Sequence, residues 1–203
     1  MMCRFLALEG GSVPPALINL GPDDAQVACD IPLNSISEGT ECFVKDGVIQ
    51  FISAESKEPV AAGKISAKIK NAILLFVAKP NAAKAKWDIF VIDDSPKSFP
   101  IAGAYVANFY NQNIRFIIGG ERIMLPSGGH HGLGRPTKLD PFNMAPVIFQ
   151  FQKDEAWITA SETMLRFTPG IRYMIFTYVD PMSGRPRAAT YQDYKRTDAS
   201  PAQ

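Results

Sequence analysis

Both histidines of this chain, His130 and His131, stand side by side in SGGHHGLGRP, Ser127 to Pro136. Imidazole binds metals and moves protons, and glycine-rich loops cradle phosphates, so several chemistries must be weighed in this one stretch. Serine hydrolysis would pair Ser127 with His130, yet no strand-turn-helix nucleophile elbow surrounds them. A phosphate loop would lead into a helix N-terminus, but Arg135-Pro136 leads into TKLDPFNMAP, which has no helical period. A metal site would need His130 or His131 with an acid from elsewhere, such as Asp140. Against these stands a plain surface loop, in which neighbouring extended residues point in opposite directions. No catalytic residue, cofactor or metal is therefore assigned. His130, His131 and Arg135 are kept as candidate contacts to a partner or a metal.

Cys3, Cys29 and Cys42 form an odd set with no C-x-x-C pair, which fits neither a disulfide framework nor a zinc site. Cys29 and Cys42 are expected buried in strands, with a bridge between them as the alternative and Cys3 as the reactive thiol. A blue-copper centre would need Cys, His and Met near the last strand pair, which offers only Met182. The pairs Asp23-Asp24 and Asp93-Asp94 lack calcium-loop spacing and suit a turn and a strand end. Trp87 and Trp157 are expected in the core. Alternation divides Tyr173, Tyr178, Tyr191 and Tyr194 between two sheet faces, which argues against one stacking platform.

The elements that must position these residues are strands. Sixteen prolines, fifteen glycines and thirteen phenylalanines in 203 residues favour strands and turns, and a formal charge of +1 gives no global attraction to nucleic acid. The opening MMCRFLALEGG is too short in apolar character for a signal-peptide core or a membrane span. As written the chain reads as soluble, or as the mature, periplasmic or exported part of a protein whose leader was replaced. ECFVKDGVIQFISA reads as a hairpin about Asp46-Gly47, while NAILLFVAKP and AKWDIFVIDD read as central strands. The segment from Glu155 to Phe167 reads as strand rather than helix.

Laid over itself with a shift of 89, the chain sets Asn19 on Asn108 and Cys29 on Ile118; with a shift of 101, Pro80 falls on Pro181. This predicts an all-β chain of two tandem sandwiches, immunoglobulin-like or cupredoxin-like, made by internal duplication. The first spans residues 1–95. The second spans 96–194 with an inserted Gly/His loop, and 195–203 form a disordered tail. One larger sandwich is the rival arrangement.

The succession VPPALINL, KWDIFVIDDS, FPIAGAYVANFYNQNIRFIIGG, LPSGG and DPMSGRPRAATYQD resembles a group of uncharacterised bacterial proteins, usually exported, with tandem β-sandwiches. The resemblance implies a cell-envelope location and no activity. The function expected is a non-catalytic binding or structural module whose partner is a protein or envelope component. The alternative is an enzyme or metal-binding protein using the 127–140 loop.

Overall fold

The computed structural model describes residues 1–8, 16–79 and 86–194. Among them there is no α-helix, and no helix is long and apolar enough to cross a membrane. The chain is all-β and divides into two compact units between Ser98 and Phe99. Each unit has its own apolar core.

The first unit contains β1 (Met2–Ala7), β2 (Leu17–Leu20), β3 (Gln26–Cys29), β4 (Thr40–Glu41), β5 (Val48–Ser53), β6 (Pro59–Lys64), β7 (Asn71–Ala78) and β8 (Trp87–Asp93). They join in the order β3-β2-β5-β6-β8-β7-β1-β4. The sheet folds on itself so that Phe5 of β1 meets Phe51 of β5 edge-on at 6.0 Å, and Phe51 meets Phe76 of β7 at 5.4 Å. One seam of this sandwich-like unit is closed by a short parallel pairing, Ala61 with Trp87 and Ala62 with Asp88.

The second unit contains β9 (Ala104–Asn108), β10 (Ile114–Ile118), β11 (Glu121–Leu125), β12 (His130–Leu133), β13 (Met144–Lys153), β14 (Ala156–Arg166), β15 (Ile171–Val179) and β16 (Pro186–Tyr194). Two four-stranded sheets result, β11-β10-β13-β14 and β12-β9-β15-β16. Among the described residues each unit thus has eight strands, and β9 to β16 repeat the neighbours of β1 to β8 except at the β6–β8 seam. β1 lies parallel to β7 with Met2 beside Asn71, and β9 lies parallel to β15 with Ala104 beside Tyr173. The separation is 69 residues in both (71 − 2 and 173 − 104). A bulge follows a core phenylalanine in each: Val60 is left unpaired after Phe51 meets Ala61, and Ala160 where Phe149 meets Ser161.

The residue alignment drawn from the sequence fares unevenly. The shift of 101 carries β7 onto β15, which occupy the same place in their sheets. The shift of 89 does not work. It sets Asn19 of β2 on Asn108 of β9, and Cys29 of β3 on Ile118 of β10, strands with different neighbours. The paired connections also differ in length, residues 79–86 against 180–185. Pro80 and the expected tail, 195–203, lie outside the described residues.

β7 and β15 carry nearly continuous apolar runs because both of their faces are buried: Leu74 and Ile175 point into the cores, while Ile73, Leu75, Met174 and Phe176 are buried on the opposite face. The expected hairpin about Asp46-Gly47 is smaller than the sequence suggests. Both residues have positive φ, 52° and 73°, but only Lys45 and Val48 pair across the turn. Beyond it, Asn19 takes the place of a strand. Its side-chain amide donates to the carbonyls of Phe43 and Gln50 at 3.2 and 3.1 Å, and its Oδ1 accepts from Phe43 N–H at 2.7 Å.

Asn108 plays the same part in the second unit. Its Nδ2 donates to the carbonyls of Gln112, Leu125 and Pro126 at 2.8, 3.2 and 3.0 Å, and its Oδ1 accepts from Tyr110 N–H and the Thr177 hydroxyl at 2.9 and 2.8 Å. Both asparagines are 0% exposed, so no water can replace these bonds. Replacing Asn108 with Ala should cost on the order of 3 kcal/mol or more, since a buried group left unpaired costs about 1–3 kcal/mol. Asn19→Ala should cost less, having fewer bonds to lose. Urea midpoints of the two variants check the order.

Candidate functional site

The Gly/His stretch is a strand and not an inserted loose loop. A turn at Ser127-Gly128, with Gly128 at φ +74° and Gly129 N–H donating to Pro126 O at 2.9 Å, lays the chain back along β9. There Asn108 N–H donates to Gly129 O, and Gly128 N–H donates to Asn108 O, both at 2.9 Å. His130 then pairs with Ala107 and His131 with Val106. The imidazole of His130 stacks on the Tyr105 ring at 5.5 Å with 18° between planes. Arg135 donates through Nε to Phe167 O at 3.0 Å and through Nη2 to Asn143 Oδ1 at 2.6 Å. Asp140, the acid proposed for a metal, accepts from Phe142 and Met144 N–H at 2.8 Å and so closes its own turn. Among the described residues no group of three His, Cys, Asp or Glu side chains is arranged to hold a metal ion.

Asp23 and Asp24 lie in a short 3-10 turn, as expected, and the pair Asp93-Asp94 has partners. Asp94 is ion-paired to Arg4 at 2.8 Å, and Asp93 accepts from the hydroxyls of Ser95 and Ser98 at 2.9 and 2.7 Å. Burial pushes the Asp93 carboxyl up, but the Ser98 and Ser95 bonds outweigh it and hold the group below its ordinary value. Trp87 is buried as expected. Trp157 is not: it lies half-buried on the solvent-side face of its sheet, with the Arg115 guanidinium 4.5 Å above its ring. Tyr173 faces the core while Tyr191 packs on Phe176 of the opposite face, so the tyrosines do divide.

What the sequence does not disclose is an open cleft of about 660 Å³ at one end of the second unit. Its walls are Tyr110 to Asn113, between β9 and β10, and Phe151 to Glu155, at the β13–β14 turn. Tyr110 and Phe151 meet edge-on at 6.4 Å, and Gln152 N–H donates to Asn113 O at 3.4 Å, tying one wall to the other. Buried Asn108, through its bonds to Tyr110 and Gln112, fixes the first wall from within the core. Asp154 and Glu155 turn with φ of 48° and 66°, the left-handed region that glycine fills at lower cost. Beside the cleft, Gln152 pairs across the strands with Trp157. Arg115 Nε donates to Gln150 Oε1 at 2.7 Å and Gln150 Nε2 to Thr159 Oγ1 at 3.0 Å, a polar ladder running out from the Arg115–Trp157 stack. Only the run of carboxamides N-Q-N, 111–113, hinted at this in the sequence.

In the first unit the three cysteines are free, buried and gathered together. The Cys42 thiol acts electrostatically on both Cys3 and Cys29. Contact with Cys42 holds the Cys3 thiol below its ordinary value against the opposing effect of burial. The same contact, with burial, pushes Cys29 up. Cys42 is pulled down by Cys29 but pushed up by Cys3 and by burial, to about 12. The Cys29–Cys42 bridge held as an alternative is not formed, and Cys3 is as sequestered as the others.

No protein-family model matches the chain, and no curated protein matches its sequence.

Two outcomes follow. His130→Ala should lower stability by about 0.5–1.5 kcal/mol, the usual worth of an aromatic pair, whereas exposed His131→Ala should leave the melting curve unchanged. In native thiol titration with a bulky aromatic disulfide, all three cysteines should resist until denaturant is added. Rapid modification of Cys3 alone would contradict its burial.

Proposed function

We propose that this chain is a non-catalytic binding module and that the open cleft of the second unit receives its ligand. The observation that carries the reading is the chemistry of the walls. Asn111, Gln112, Asn113 and Gln152 each offer a donor and an acceptor on one carboxamide, matching hydroxyl groups, which also do both. Tyr110, Phe151 and neighbouring Trp157 supply flat apolar surface for the C–H faces of a ring. A hydroxyl-rich ligand such as a short glycan fits this combination. The strained turn at Asp154-Glu155 supports it as well, since two side chains are kept at the cleft mouth where glycine would relieve the backbone. A cell-envelope location belongs to the same reading and rests on the resemblance of the motif succession. The repeated strand neighbours support an internal duplication as the origin of the two units.

Titration with a panel of short neutral oligosaccharides, followed by amide NMR, tests the proposal. Shifts should cluster at 110–113, 151–155 and Trp157. Gln152→Ala should weaken binding about tenfold, the effect of losing one hydrogen bond of ordinary strength, without moving the unfolding midpoint. Absence of any perturbation at millimolar sugar would overturn the reading.

A further inference from the structure

The three cysteines come from separate stretches with no spacing motif: Cys3 from β1, Cys29 from the end of β3, and Cys42 from just beyond β4. They meet on the side of the first unit opposite the β6–β8 seam, where the sheet ends in β3 and β4, four and two residues long. Cys42 touches both of the others, and all three are at most 2% exposed. A buried thiol packs well on its own, so one cysteine here would mean nothing. Three sulfurs gathered in one core cluster about Cys42 are a different matter, because sulfur exchanges with sulfur wherever an oxidant can start the sequence.

We propose that this cluster is a peroxide-responsive relay in which Cys3 reacts first, Cys42 carries the disulfide, and Cys29 resolves it, leaving a Cys29–Cys42 bridge. The Cys3 thiolate attacks one oxygen of hydrogen peroxide, the O–O bond breaks, and with a proton taken up the products are Cys3 sulfenic acid and water. The Cys42 thiol displaces that hydroxyl as a second water, forming Cys3–Cys42. Cys29 then attacks the Cys42 sulfur, a proton is lost, and Cys3 leaves as thiolate. Overall two thiols and hydrogen peroxide become one disulfide and two waters.

Geometry sets the order. Met1 and Cys42 exchange both backbone hydrogen bonds, at 2.7 and 2.8 Å, and Cys3 pairs with Thr40, which makes Cys3 and Cys42 diagonal neighbours across β1 and β4. Diagonal neighbours are about 7–8 Å apart between Cα atoms. Disulfides span at most about 7 Å, so the first bridge is strained and serves only as an intermediate. Cys29 lies on β3, which pairs with neither β1 nor β4, and is under no such diagonal constraint. Cys42 holds the Cys3 thiol below its ordinary value, which supports its two roles, as the attacking thiolate and as the better leaving group. Access is through β4, at two residues the shortest described strand of the unit and the end of its sheet, which suffices for a molecule little larger than water.

The test treats the folded full-length chain with hydrogen peroxide, quenches with acid, and counts and maps thiols by mass after denaturation. Free thiols should fall from three to one, with Cys29 linked to Cys42 and Cys3 free. Cys3→Ser should slow bridge formation at least tenfold, and Cys29→Ser should trap the Cys3–Cys42 link. Three free thiols after exposure that oxidises the urea-unfolded chain would overturn the relay. So would a final wild-type product with Cys3 in the bridge or carried on to sulfinic acid. A Cys42→Ala chain, which keeps the core apolar, should form no intramolecular bridge, and any bridge found there would equally refute it. Neither readout depends on the cleft of the second unit.

Discussion

Each unit depends on one contact, the parallel pairing of its first strand with its seventh. Parallel neighbours cannot be joined by a tight turn, so everything between them must wrap around as the crossover. In the first unit that wrapping brings β5 across the core, where Phe51 closes on Phe5 and Phe76. In the second it brings Phe116 and Phe149 together at 5.5 Å beneath Tyr173 and Ile175. The register of the parallel pair decides which side chains of β1 and β9 point inward. Cys3 and Phe5 do so in one unit, Ala104 and Val106 in the other. A slip of one residue would turn all of them outward.

Such a core leaves backbone groups stranded where strands end short, and the two buried asparagines answer for them. A carboxamide has the donor and acceptor pattern of a peptide group, so Asn19 and Asn108 extend the ladder from the side. Asn108 also connects the core to the cleft, because the amide that satisfies Leu125 and Pro126 shapes the wall at Tyr110 and Gln112. Buried charge is handled similarly. Arg172 meets Asp193 at 2.6 Å, donates to Phe99 O at 2.8 Å and lies 3.8 Å over the Phe99 ring. The pair is thereby satisfied on every side, which removal of either member would undo.

Strand identity was legible in the sequence because it is a local property: β14 read as strand although its Ala, Glu and Met blur the period, and continuous apolar character marked β7 and β8 as central. Pairing was not legible. Alternating patterns with a period of two match one another at many offsets, so the Asn19–Asn108 alignment looked sound while joining strands of different rank. The Gly/His stretch misled for a related reason. Its glycines serve a turn and a close run along β9, and only the partner strand makes HHGL a strand. Trp157 was misplaced because a tryptophan in an apolar run can face either side, and its arginine lies forty-two positions earlier in the chain, at Arg115. The thiol cluster has no local signature at all. Three cysteines meet only because β1, β3 and β4 are brought to one side by the fold.

The parallel contact also sets a clock on the birth of the molecule. The first strand leaves the ribosome with no partner and must wait for a strand 69 residues behind it. At the ordinary pace of synthesis, about 5–20 residues per second, that is a delay on the order of 3–14 s. During it the edge of CRFLAL that β7 will cover is bare, and only its first residues gain β4 on the other edge. In the second unit AYVAN gains β12 along one edge early, and only its other edge waits for β15. Twice in one lifetime, then, the nascent chain exposes a strand that pairs readily with the wrong neighbour. Its safe production rests on how well those intervals are shielded.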